Sequence, residues 1–161
     1  MSWWRDVRRL AALSWGERRL LLEALIELAR ARWQLRTLPF NQLVAHLQRS
    51  APAEPVAEPA TGRITWSVRV LARRVPWRAD CFPQAIAGYR MLQRRGRLAR
   101  IDLGVRRAAD GQLAGHAWLT HDDRVVLGGP GPEHFAPLHA ISAQSAQNKA
   151  PHDDRAASAG A

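Results

Sequence analysis

At 161 residues the chain has room for one domain with a real core and is too short for two ordinary ones. Its 47% apolar content excludes a disordered chain, and it lacks the run of about 18 apolar residues that a bilayer-spanning helix requires. The formal charge of +10 points to an acidic partner, but the basic residues, nearly all arginine with Lys149 the sole lysine, are dispersed along helices instead of forming a block.

The opening residues Met1-Ser2-Trp3-Trp4-Arg5-Asp6 put Arg and Asp where a secretory signal needs an apolar stretch, so a cytoplasmic protein is expected. Apolar positions at Trp4, Val7, Leu10 and Ala11 have helical spacing. Ser14 followed by Glu17 reads as a capping box that restarts a helix. That second helix runs from Glu17 to Arg36, with a broad apolar face of Leu20, Leu21, Ala24, Ile26, Leu28, Ala31 and Leu35. Pro39 breaks the pattern, and Asn41 is the expected cap of a short helix holding Leu43, Val44 and Leu47. Residues 50–62 hold three prolines and few large side chains, the composition of a linker or mobile loop.

Ile64 to Val75 reads as a further amphipathic helix with Trp66, Val70, Leu71 and Val75 inward. Cys81 opens the next helix, which runs to about Arg95, has Pro83 in its first turn and stops at Gly96. Phe82, Ala85, Ile86, Tyr89 and Leu92 form its buried stripe. Beyond Gly96 the period changes to two. Ile101, Leu103 and Val105 alternate with Asp102 and Gly104 as in a half-buried strand. A turn over Ala109-Asp110-Gly111-Gln112 leads to a strand from Gly115 to Thr120, and a turn over His121-Asp122-Asp123 leads to a third from Arg124 to Leu127. After Pro130 the chain is expected to be irregular, and residues 142–161 to be a disordered tail. Helices followed by an antiparallel sheet predict an α+β fold.

Cys81 is the only cysteine, so an internal disulfide and a multi-thiolate zinc site are both excluded. A lone cysteine is most often a small buried hydrophobe. This one sits where a helix begins, and unpaired backbone N–H groups and the helix dipole favour a thiolate there. The same N–H groups suit an oxyanion formed during acyl transfer. Asp80 opposes the thiolate electrostatically unless its carboxylate caps the helix. His116 lies between Gly115 and Ala117, whose small side chains leave the imidazole reachable from a cleft. A Cys–His pair of this kind activates the thiol and then protonates the leaving amine.

The ordered set Pro76-Trp77-Arg78-Ala79-Asp80-Cys81-Phe82-Pro83-Gln84-Ala85, Leu92-Gln93-Arg94-Arg95-Gly96, Leu103-Gly104-Val105 and Gly115-His116-Ala117-Trp118-Leu119 closely resembles the lasso-peptide biosynthesis B protein family. The likeness is to that family's C-terminal protease region and covers about residues 66 to 129. It implies a transglutaminase-like, papain-like cysteine protease fold, with N-terminal helices packed on a small antiparallel sheet. The expected domain is residues 1–141, divided into a helical N-terminal segment (1–49), a mobile loop (50–62) and a catalytic core (63–141). The implied activity is removal of the leader from a ribosomally made precursor peptide, Cys81 attacking the scissile carbonyl and His116 acting as base and then acid. The implied partners are the precursor, a separate leader-recognition protein and an asparagine-synthetase-like cyclase that closes the ring; no cofactor is implied.

Such proteins usually carry an orienting carboxylate on the strand after the histidine. Here the position facing His116 is about Gly128, leaving Asp122, Asp123 and Asp102 as candidates for the third residue and a backbone carbonyl, an amide or water as substitutes. Three other functions compete: a scaffold that has lost its chemistry, another acyl transfer by the same pair, and an arginine-rich nucleic-acid binder. The last lacks a zinc motif, a stacking repeat and a recognition helix, so no nucleic-acid partner is expected. His121, His134, His139 and His152 match no ligand spacing, so no metal is expected. Trp3 and Trp4 are candidates for docking a partner protein.

Overall fold

The structure, a computed structural model, describes residues 13–49, 59–108, 111–129 and 132–143. The helix expected from Trp4, most of the 50–62 loop, Asp110 of the first turn and the tail beyond residue 143 lie outside the described residues, as do Trp3 and Trp4.

Helix α1 spans Trp15–Thr37 and begins with the expected capping box. The Glu17 N–H donates to Ser14 Oγ at 3.3 Å, and the Ser14 N–H donates to Glu17 Oε2 at 2.8 Å. That hydroxyl and the positive field of Arg63 hold the Glu17 carboxyl below its ordinary pKa. Leu20, Leu21, Ala24, Leu28 and Ala31 are buried as expected, but Ile26 points to solvent. It lies about 160° around the helix from Ala24, at 100° per residue, and so faces away from the core. Helix α2, Phe40–Gln48, starts at Pro39 and not at Asn41, whose side chain instead accepts from the Gln42 N–H. Proline serves here because its fixed φ suits the chain's entry into the helix.

Helix α3 covers Thr61–Ala72, three residues earlier than expected, so the preceding loop ends by Ala60. Its buried residues are Ile64, Thr65, Ser67 and Val68, while Trp66 is exposed and Leu71 and Val75 are only half-buried. The expectation chose the bulkiest apolar residues as the inward face. In the structure the tight approach to α1 and α4 selects the small Ser67 and Thr65, whose hydroxyls donate back to the carbonyls of Ile64 and Gly62.

Helix α4, Cys81–Gln93, is the central helix, and every residue from Ala85 to Gln93 is buried. It ends where Gly96 takes φ of +65°, which lets the Arg97 N–H return to the Leu92 carbonyl at 3.1 Å. Charged groups tie it to α1. Glu27 of α1 is 1% exposed and meets Arg90 at 3.5 Å and Arg94 at 2.6 Å, while Arg95 pairs with Glu23 at 2.7 Å. Burial pulls the Arg90 guanidinium below its ordinary pKa, and the facing Glu27 partly restores it.

The sheet comprises β1 Arg100–Arg107, β2 Leu113–His121, β3 Arg124–Leu127 and β4 Ala136–Ser142, all antiparallel in the order β3-β2-β1-β4. The irregular chain expected after Pro130 is instead a short 3-10 turn, Pro132–His134, followed by β4. Ala136-Pro137-Leu138-His139 is exposed and polar-broken, and it becomes a strand because β1 offers an unpaired edge. Helix α4 packs against β2 and β3 so closely that a Cβ at Gly88 would meet Leu127 Cδ1 at 2.6 Å and Leu119 Cδ2 at 2.7 Å. Among the described residues, no helix is long and apolar enough to cross a membrane.

Candidate active site

Cys81 is the first residue of α4. Asp80 precedes it in extended conformation (φ −68°, ψ −171°) and makes no side-chain cap bond. Its carboxylate turns to Arg78, 3.2 Å away, where the guanidinium offsets part of the negative field next to the thiol. Because α4 is entered without a side-chain cap, the first N–H groups, those of Cys81 and Phe82, have no partner within the helix. Pro83, buried in the third position, has no N–H to satisfy. Gln84 closes the turn: its N–H reaches the Asp80 carbonyl at 3.3 Å, and its side-chain amide donates to the Ala79 carbonyl at 2.7 Å. The thiol is free and half-buried, packed against the edge of the core with Phe82 and Trp77. Aromatic rings continue outward from it, Phe82 to Phe40 at 6.3 Å and Phe40 to His139 at 6.4 Å.

His116 is carried by β2 and pairs in register with Gly104 of β1. Its Nε2 lies 2.6 Å from the carbonyl oxygen of Gly128, just past the end of β3. A carbonyl only accepts, so Nε2 bears a proton, and in the neutral ring Nδ1 then carries the lone pair. That is the tautomer a base acting through Nδ1 requires. The ring is held from two sides, by Trp118 at 4.8 Å edge-on and Phe135 at 5.4 Å. Trp118 and Phe135 meet at 5.0 Å, and Arg106 lies 5.2 Å over the Phe135 ring.

Phe135 and Arg106 escaped the sequence reading. The available signal was Gly104, a glycine in mid-strand, which marks a close approach. A Cβ there would come within 3.0 Å of both Phe135 Cβ and Trp118 Cζ3.

Of the carboxylates considered for orienting His116, none bonds to it among the described residues. Asp102 stands opposite Trp118, accepting from Thr120 Oγ1 at 2.7 Å and Arg100 Nε at 2.6 Å. Asp122 and Asp123 form the β2–β3 turn with positive φ (49° and 55°). That turn lies beyond the far end of β2, about 16 Å or more from His116 at a rise of about 3.3 Å per residue. The carbonyl of Gly128 stands where the carboxylate was sought.

Alternation along β2 puts His116 and Trp118 on the opposite side of the strand from Ala117 and Leu119, which face α4. No hydrogen bond joins Cys81 to His116 among the described residues. Nor do three or more His, Cys, Asp or Glu side chains gather there as a metal site would need.

No curated protein and no solved structure matches the chain significantly. The sequence model described as transglutaminase-like superfamily matches residues 24–140, from the middle of α1 to β4 and spanning both Cys81 and His116. That superfamily includes cysteine proteases and acyltransferases and generally works through a cysteine. With the match covering well over half of its length and an α+β architecture in agreement, the chain belongs to the transglutaminase-like superfamily.

Proposed function

We propose that the protein is a cysteine peptidase that removes the leader from a lasso-peptide precursor in the cytoplasm. The observation that carries the reading is the pair of chemical settings described above. One is a free thiol on the first residue of a helix whose first N–H groups have no partner within the helix; the other is an imidazole whose Nε2 proton is committed to the Gly128 carbonyl. In the proposed reaction substrate binding brings the His116 imidazole, which β2 carries on the side turned away from α4, to Cys81, whose Sγ gives its proton to Nδ1 and attacks the scissile carbonyl carbon. The oxyanion is received by the N–H groups at the start of α4. The C–N bond then breaks as the imidazolium returns the proton to the leaving amine, and water hydrolyses the thioester. The residues 76–119 that resemble the lasso-peptide B proteins support the substrate class. A separate leader-recognition protein and an asparagine-synthetase-like cyclase are the proposed partners.

Two observations favour a second reading, a scaffold with weakened chemistry: His116 stands on the side of β2 away from α4, and a carbonyl oxygen cannot offset the charge of an imidazolium as a carboxylate does. Iodoacetamide labelling of the native protein against pH separates the two. The peptidase reading expects alkylation of Cys81 well below the ordinary thiol pKa of about 8.5, shifted upward in His116→Ala, with leader cleavage lost in Cys81→Ser. A thiol that reacts only on unfolding would establish the scaffold.

A further inference from the structure

Helix α1 has a second apolar face. Trp15, Leu22, Ile26, Ala29 and Trp33 follow one another at intervals of seven, four, three and four residues, which places all five within about 40° of one line along the helix. The line runs opposite the buried face of Leu20, Ala24, Leu28 and Ala31. Its side chains are open to solvent: Trp15 is 73% exposed, Leu22 59%, Ile26 55% and Trp33 63%. An apolar stripe running the length of a 23-residue helix is not the scattered exposure normal for a monomer's surface.

Beside the stripe lies a groove of about 1030 Å³ between α1, the start of α3 and the end of α4. Leu22 and Ile26 form its apolar bank, and Arg63, Arg94 and Arg95 its far bank, with Arg19 at the rim. Glu17, Glu27 and Glu23 hold Arg63, Arg94 and Arg95 in place. Arg19, Arg30 and Arg36 add exposed positive charge along the stripe.

This charge pattern selects the occupant. A second copy of the chain would bring the same arginines against themselves. The chain's own first residues, with Arg5, Arg8 and Arg9 against one Asp6, are also basic. We infer that the outer face of α1 and its groove dock an acidic amphipathic helix of a partner protein, apolar side chains on Leu22 and Ile26 and carboxylates toward Arg19 and Arg30. The site lies apart from Cys81 and His116 and does not depend on the chemistry proposed for them.

The test measures anisotropy of a labelled synthetic helix of leucine and glutamate, its leucines at helical spacing. The comparison probes are a peptide of the same composition with its leucines scattered and a leucine–lysine helix. The acidic helix is expected to bind the full-length protein more tightly than either, with affinity falling as salt rises. Leu22→Glu with Ile26→Glu should weaken it at least about tenfold, and Arg19→Glu with Arg30→Glu should flatten the salt dependence. Cys81→Ala should leave binding unchanged. Far-UV circular dichroism should stay unaltered in the Leu22, Ile26, Arg19 and Arg30 variants, since those side chains are exposed. Equal binding of the scattered peptide, or indifference to both double variants, would overturn the inference. So would a dimer in sedimentation that Leu22→Glu with Ile26→Glu dissociates, or a tighter probe when Trp4 and Val7 are changed to Glu. The first of these would assign the face to a second copy, the second to the chain's own N-terminus.

Discussion

Replacing Gly128 by alanine tests whether a glycine backbone is what holds His116. Gly128 has φ of +104°, where a residue with a side chain costs about 1–3 kcal/mol. A Cβ there would lie 2.5 Å from the Ala117 carbonyl oxygen, 2.9 Å from Trp118 Cα and 3.0 Å from Trp118 Cδ1. The two nearest atoms belong to the backbone of β2, which is paired on both sides and cannot yield without loosening the sheet. Overpacking of this kind adds about 1–3 kcal/mol, so a loss of about 2–6 kcal/mol is expected from a total stability of about 5–15. Urea unfolding followed by tryptophan fluorescence should show the midpoint falling by about 1 M or more with the slope unchanged. Gly129→Ala is the control: φ is +77°, but a Cβ there meets nothing within 4 Å, so only backbone strain applies. If Gly128→Ala costs no more than Gly129→Ala, the contact with β2 is not what requires the glycine. The same contacts predict that Gly128→Asp destabilises the protein and builds no working triad.

Two further outcomes follow from the contacts of α4 with α1 and α2. Glu27→Ala strands Arg90 and Arg94 and should cost about 3–5 kcal/mol in urea unfolding, whereas Glu27→Leu with Arg90→Met should lose far less because no buried charge is left unpaired. Equal losses in the two would refute the ion-pair argument. Tyr89, the chain's one tyrosine, accepts from Gln93 at 2.7 Å and donates to the Leu47 carbonyl at 3.3 Å, and its burial raises the phenol from 10.0 to about 12. Because the folded value is the higher one, its stabilisation is complete below pH 10 and is lost as pH rises through about 12. Absorbance at tyrosinate wavelengths reads this directly. A midpoint near the ordinary value in the still-folded protein would contradict it.

The local features were legible in the sequence because local chemistry causes them. The Ser14–Glu17 box, the start of α4 at Cys81, its stop at Gly96 and the alternating strands of β1 and β2 each follow from neighbours a few residues apart. Counting residues across the β2–β3 turn brought Gly128 only near His116, because the register shift between Leu119 and Thr120 has no local signal. Tertiary structure decided what depends on the surroundings. Ile26 and Trp66 are apolar yet exposed, because the tightest helix contacts went to Ala24, Ser67 and Val68. Strand β4 has no usable alternation and forms because the edge of β1 accepts it. Asp102 is engaged by Thr120 and Arg100, and the orienting group for His116 is a backbone carbonyl, which no residue type announces. A side chain's identity is written in the sequence, but which backbone oxygen it meets is set only when the strands pair.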